Sequence, residues 1–213
     1  MEKFKTILEK EVSDEIVEKK SRFIATLIKV ESVQDAEQKI KEIKSKYHDA
    51  KHNCFAFIIS DSGSVTKRFS DDGEPSGTAG APMLEILEKM NLANVLVVVT
   101  RYFGGILLGT GGLLRAYSDS LKKAINTSTI VENEIGYEVQ IKISYPDFEK
   151  LKYFCAQEKI RMYDVSFSDV VMCKIDVNNS QKSIFEDDIK TENRFNVLVF
   201  DIIRQKNIPV VSK

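Results

Sequence analysis

The run VLVVVTRYFGGILLGTGGLLRAY, Val95 to Tyr117, decides how the rest of the chain is read. Its first five residues, Val95 to Val99, are all aliphatic. Such a run predicts a strand covered on both faces. Past the glycines, Leu113, Leu114, Tyr117, Leu121 and Ile125 recur at helical spacing and predict an amphipathic helix. The loop between them holds Gly104, Gly105, Gly109, Gly111 and Gly112, and it enters the helix at Gly111 or Gly112. A buried strand delivers this loop, and a helix receives it.

A second loop of the same type lies upstream. SDDGEPSGTAGAP, Ser70 to Pro82, begins with acids, passes Gly73, Gly77 and Gly80, and enters a helix predicted over Pro82 to Met90. Proline in a first helical turn loses no hydrogen bond. Eight of the ten glycines fall between Gly73 and Gly112, so irregular backbone is concentrated in this half. Toward the N-terminus, Ile16–Lys20 and Phe23–Val30 read as strands. Val33, Ala36, Ile40, Ile43 and Tyr47 mark a helix capped by Ser32, with Asp35 three residues later. Cys54–Ile59 and Val65–Phe69 read as a hairpin around Asp61-Ser62-Gly63-Ser64.

Asn126 to Glu134 is polar, lacks core periodicity and reads as a linker. Beyond it the pattern is strand (Tyr137–Ile143), helix (Asp147–Glu158), strand (Met162–Ser168), strand (Val170–Val177), helix (Gln181–Thr191), strand (Asn196–Phe200). This β-α-β-β-α-β order is ferredoxin-like. The fold class is therefore α+β in two domains, residues 1–130 and 131–213.

Composition narrows the function. Of 213 residues, 31 are basic and 32 acidic, and neither half holds a basic excess. A dedicated duplex-DNA binder usually carries one. No apolar run reaches the ~20 residues that span a bilayer. The opening MEKFKTILEKEV lacks the apolar core of a signal peptide, so neither export nor membrane insertion is expected. Cys54, Cys155 and Cys173 form no CxxC pair and read as small buried groups of a cytoplasmic protein.

The two loops carry the candidate chemistry. Amides at a helix N-terminus bind anions, and Ser76 and Thr78 are placed to cap such amides. Arg101, Tyr102 and Arg115 flank any anion held there. The pattern points to a pocket for phosphate or a nucleic-acid backbone, with tight turns and close helix packing as the plainer explanation of the glycines. Walker A fails because Gly112-Leu113 follows Gly111, and the dinucleotide fingerprint fails at Leu114. Asp71, Asp72 and Glu74 can hold a divalent cation, act as a base, cap turns, or pair with Arg101 or Arg115. His48 and His52 have metal-ligand spacing, but they straddle a helix end and a strand start. No metal, cofactor or catalytic residue is assigned, and His52 is read as orienting a loop beside the pocket. GxSxG is absent.

The strings KKSRFIA (Lys19–Ala25), DAKHNC (Asp49–Cys54), SDDGEPSGTAG (Ser70–Gly80) and VVVTRYFGGILLGTGGLLRAY (Val97–Tyr117) resemble those of the YigZ/IMPACT family, in the family's order. The resemblance implies an N-terminal domain like the second domain of a small-subunit ribosomal protein and the fourth domain of elongation factor G. That fold includes a left-handed βαβ crossover. It implies a C-terminal domain like the fifth domain of the same factor. Eukaryotic IMPACT proteins regulate translation under amino-acid stress by competing for a protein activator of an initiation-factor kinase; their partner-binding domain is not expected in this chain, so that mechanism is not carried over. The expectation is a cytoplasmic regulatory protein that binds RNA, the ribosome or a translation factor. Its surface would comprise His52, Asp71, Asp72, Glu74, Ser76, Thr78, Arg101, Tyr102, Gly104, Gly105, Gly111, Gly112 and Arg115, together with the ferredoxin-like sheet. The alternatives are an enzyme acting on a phosphorylated or nucleotide metabolite, and a pure protein-interaction module. Oligomeric state is not readable.

Overall fold

The computed structural model describes residues 4–61, 64–191 and 196–210. In chain order the elements are β1 (Phe4–Ile7), β2 (Glu11–Glu18), β3 (Ser21–Lys29), α1 (Val33–Lys46), β4 (His52–Asp61), β5 (Ser64–Ser70), α2 (Gly80–Lys89) and β6 (Val95–Tyr102). They continue with α3 (Thr110–Thr127), β7 (Ile130–Ile143), α4 (Tyr145–Gln157), β8 (Arg161–Phe167), β9 (Val171–Asn178), α5 (Asn179–Thr191) and β10 (Val197–Val210). The architecture is α+β, and contacts divide it into two units, one ending at Glu132 and one spanning Asn133–Val210.

In the first unit the sheet order is β2-β3-β6-β4-β5. Both β3 and β4 run antiparallel to β6, so the β3-α1-β4 connection is a crossover that steps over β6. Val95 to Val99 are fully buried because helices cover both faces of this sheet. Val95, Val97 and Val99 face a core with Met83 and Leu87 of α2 and Leu113, Tyr117 and Leu121 of α3. Leu96 and Val98 face Ala36, Ile40 and Ile43 of α1. Ser32 caps α1 by accepting from the Asp35 amide.

In the second unit β7, β9 and β8 are neighbours in that order, and β10 also pairs β7. The resulting order β10-β7-β9-β8 is the ferredoxin-like arrangement that the βαββαβ pattern predicts. Val139, Ile141, Ile143, Cys173 and Ile175 pack with Phe148, Leu151 and Phe154 of α4 and Phe185 of α5.

Several expectations need correction. The stretch 126–134 is not a linker: α3 runs to Thr127 and β7 starts at Ile130. Glu132, Asn133 and Glu134 lie on β7, where Val131 and Asn133 are buried and Glu132 is exposed, and only Ser128 and Thr129 lie between the elements. Strand β1 went unread, as four residues show no period. Leu114 is 43% exposed, and the small Ala116 and Ala124 take the buried stripe instead. β2 and β10 run longer than their apolar residues suggested. Of the expected Asp61–Ser64 turn, Ser62 and Gly63 lie outside the described residues.

Candidate functional site

His52 and Arg101 are register partners on β4 and β6, so their side chains share one face of the sheet. That face is the one α2 and α3 cover. The Ser70–Gly80 loop lowers Glu74 onto this pair. Its carboxylate is 3% exposed and accepts from Arg101 Nη1 at 2.6 Å and from the Tyr117 hydroxyl at 2.9 Å. His52 Nε2 lies 3.9 Å away, while His52 Nδ1 meets the Asp72 carbonyl at 2.8 Å. The Arg101 guanidinium sits against the rings of Phe23 (5.4 Å) and Phe103 (5.6 Å). Its Nε, buried without a hydrogen-bond acceptor, is left to these aromatic neighbours.

Cys54, two residues after His52 on the same face, completes the cluster. Its thiol donates to the Asp71 carbonyl at 2.9 Å and lies 3.4 Å from the Tyr117 oxygen. Burial pushes this thiol up to about 12. Burial, reinforced by Cys54 and Glu74, also raises the Tyr117 hydroxyl far above its ordinary range. Burial thus disfavours the thiolate and the phenolate alike, so neither Cys54 nor Tyr117 is an activated nucleophile.

The acids of the loop are equally occupied. Asp71 Oδ1 accepts from the amides of Ala79 (3.0 Å) and Gly80 (2.8 Å), and Oδ2 from that of Gly77 (2.8 Å). The chain's own carboxylate therefore sits where an anion was expected. The first loop is no phosphate cradle. Ser76 is exposed and caps nothing, and the Thr78 hydroxyl donates to the Pro75 carbonyl. The methyl group of the N-cap residue Ala79 cannot cap α2, and Asp71 reaches its first amides from the loop instead. Asp72 is bound by Lys44 Nζ at 2.6 Å and by the Asn53 amide at 2.7 Å. It straps the loop to α1 and to the edge of β4.

Tyr102 belongs to the other face. Alternation along β6 sends it away from Arg101, and its hydroxyl donates to Asp49 at 2.7 Å. Gly104 is where two backbones meet: a Cβ there would overlap the backbone of Lys20 and Ser21 in the β2–β3 turn. Its amide also donates to Ser21 Oγ at 3.1 Å. Gly104→Ala should therefore push loop and turn apart and cost about 1–3 kcal/mol of overpacking. Thermal unfolding measures this; an unchanged midpoint would show that the approach is not tight.

The second loop stays open. Gly105 and Gly109 have φ of 84° and 73°, a region glycine enters without strain. Phe103 is 52% exposed, Ile106 42% and Leu107 83%. The amides of Thr110, Gly111 and Gly112, which open α3, have no acceptor among the described residues. Arg115 is exposed on the same helix, with Nε at 3.2 Å from the Gly111 carbonyl and no carboxylate partner among the described residues.

Thus the expected site separates into two parts. His52, Asp71, Asp72, Glu74 and Arg101 meet in an internal brace. Gly105, Gly111, Gly112 and Arg115 lie on an open surface, anchored at Gly104. Sequence reasoning missed Tyr117, Cys54 and Lys44. The signal for the first two was available: Cys54 shares strand parity with His52, and Tyr117 sits within the apolar stripe with a hydroxyl that needs a buried partner.

Fold and site together define a two-unit α+β protein whose first unit carries a fixed loop presented to solvent over a buried ionic brace. A model of the Impact N-terminal domain matches residues 19–125. The chain is 38% identical to IMPACT family member YvyE of Bacillus subtilis over 173 residues, covering 81% of this chain and 79% of that one. It is 33% identical to IMPACT family member YigZ of Escherichia coli over 158 residues, covering 74% and 78%. A crystal structure of a hypothetical protein superposes with a TM-score of 0.63 at 28% identity, covering 96% of this chain and 98% of that one. The chain belongs to the IMPACT family.

Proposed function

We propose that this chain is a cytoplasmic regulatory binding protein of the translation apparatus. It meets the ribosome or a translation factor through the loop Phe103–Gly109 and the adjacent Arg115. Support for the translation setting comes from IMPACT family membership. The carrying observation is structural: Leu107 is 83% exposed on a loop that Gly104 fastens to a neighbouring turn. With Phe103 and Ile106 also exposed on the same loop, three large apolar side chains face water together, and such a patch marks a contact surface. Among the described residues no helix is long and apolar enough to cross a membrane.

The enzyme alternative drew on the acids of the first loop. Asp71, Asp72 and Glu74 each hold an internal partner, so that reading loses its candidate base and its anion-binding amides.

Ribosome co-sedimentation at ~100 mM salt tests the proposal, since weak phosphate attraction is already screened there. Wild-type protein should pellet with ribosomes. Leu107→Ala with Arg115→Ala, both exposed positions, should weaken retention about tenfold or more while leaving the fold intact. Absence of wild-type retention, or full retention of the double variant, would overturn the assignment.

A further inference from the structure

The turn that joins β2 to β3 is made of two lysines in a conformation that lysine disfavours. Glu18 and Ser21 are register partners, so Lys19 and Lys20 alone close the hairpin. Both lie in the left-handed region, with φ of 46° and 66°. A two-residue hairpin of this kind favours Asn-Gly, because a Cβ is crowded there. Both lysines are exposed, and neither has an ion-pair partner among the described residues. Strain of this sort persists where the side chains serve something other than the fold.

The position of the turn joins it to the open loop. The β3–β6 ladder pairs Arg22 with Tyr102, so the turn and the start of the Phe103–Gly109 loop adjoin. Gly104 lies against the Lys20 backbone and donates to Ser21 Oγ. The two lysines are thus fixed at the start of the loop, and Arg115 stands past its end on α3. Between them Phe103, Ile106 and Leu107 face water, and Leu114 is exposed next to Arg115. The acids nearby do not cancel this cationic rim. Glu18, at the base of the turn, faces three cations. Glu15 is held by Arg22 at 2.8 Å, and Asp119, one turn beyond Arg115, is held by Lys122 at 3.3 Å.

An aliphatic centre with a cationic rim selects its occupant. Ile106 and Leu107 offer nothing to a phosphate backbone and cannot stack a base. The Phe103 ring already has the Arg101 guanidinium over it at 5.6 Å, and Tyr102 points to the opposite face, tied to Asp49. A nucleic acid would find charge here without a stacking platform. A protein segment with apolar side chains at its centre and carboxylates on its flanks matches both features, and it takes Leu107 out of water.

We propose that the Phe103–Gly109 loop docks an acidic, apolar segment of a protein, with Lys19 and Lys20 meeting carboxylates on one flank and Arg115 on the other. The proposal rests on the reading of this loop as a contact surface, and it narrows the partner there to protein rather than RNA.

The experiment places the photo-crosslinking residue p-benzoylphenylalanine at position 107 of the full chain and irradiates it with purified ribosomes at ~100 mM salt. The product should survive ribonuclease as the chain joined to one protein, and mass spectrometry should find Asp or Glu within a few residues of the crosslinked site. A crosslink to ribosomal RNA, or to a protein segment without acids, would overturn the proposal and leave the contact surface standing. Pelleting without any crosslink would overturn it as well. Failure of the wild type to pellet would overturn the contact reading itself. Lys19→Asn with Lys20→Gly separates binding from folding. It removes both charges and gives the turn the residues its φ values favour. Its unfolding midpoint should rise by about 2–4 °C, while ribosome retention falls about tenfold. Retention equal to wild type would overturn the proposal. So would a midpoint below wild type, since the lysines would then serve the fold.

Discussion

Glu74→Ala should lower unfolding free energy by about 3–5 kcal/mol, the cost of leaving a buried charge without its partner. The carboxylate and the guanidinium are 3% and 7% exposed, so water cannot replace either one. Removing Glu74 leaves Arg101 with two aromatic rings and no anion. It also strips the acceptor from the Tyr117 hydroxyl, a buried donor. Replacing both ends is a different matter. Glu74→Leu with Arg101→Met and Tyr117→Phe removes the charges and the orphaned hydroxyl together, and stability should stay within about 1.5 kcal/mol of wild type. Urea unfolding measures both, with the midpoint moving and the slope constant. A loss below about 1 kcal/mol in Glu74→Ala would mean that the pair is solvated.

Asp71→Ala should cost about 3 kcal/mol. Three amides lose their acceptor, and two of them, on Ala79 and Gly80, belong to buried residues at the start of α2. The same change removes the negative charge that faces the positive end of that helix. Asp71→Asn separates the contributions. Its single oxygen can keep the Ala79 and Gly80 bonds but presents an NH2 group to the Gly77 amide, so its loss should fall about halfway. Hydrogen exchange at Gly80–Met83 should speed up in the alanine variant before other helices respond. Equal stability of wild type and both variants would show that the loop holds its shape by other means.

The sequence made some of this readable and hid the rest, for physical reasons. Val95–Val99 announced a strand buried on both faces, because a half-exposed strand must alternate. The βαββαβ order of the second unit was legible for the same reason: core faces impose a period. The brace was legible only as one alternative, that the loop acids cap turns or pair with Arg101, and nothing in the sequence chose it over a ligand site. Glycine spacing and acidic residues look the same whether amides await a ligand or already hold Asp71. Only the distance between a carboxylate and three amides separates the two cases. Tyr102 was placed with Arg101 because they adjoin in sequence, yet adjacent strand residues point apart. The ion pairs on the outer face of the second unit's sheet were invisible in the composition, where acids and bases cancel. What matters there is depth: Glu138 and Asp176 lie beneath Arg204 and Arg161.

The separation of brace from recognition surface is the central claim, and one variant tests it. Glu74→Leu, Arg101→Met, Tyr117→Phe should fold and should co-sediment with ribosomes as wild type does, because the open loop and Arg115 are untouched. A triple variant that unfolds at the wild-type midpoint yet no longer pellets with ribosomes would contradict the claim, since the buried cluster would then itself be part of the contact.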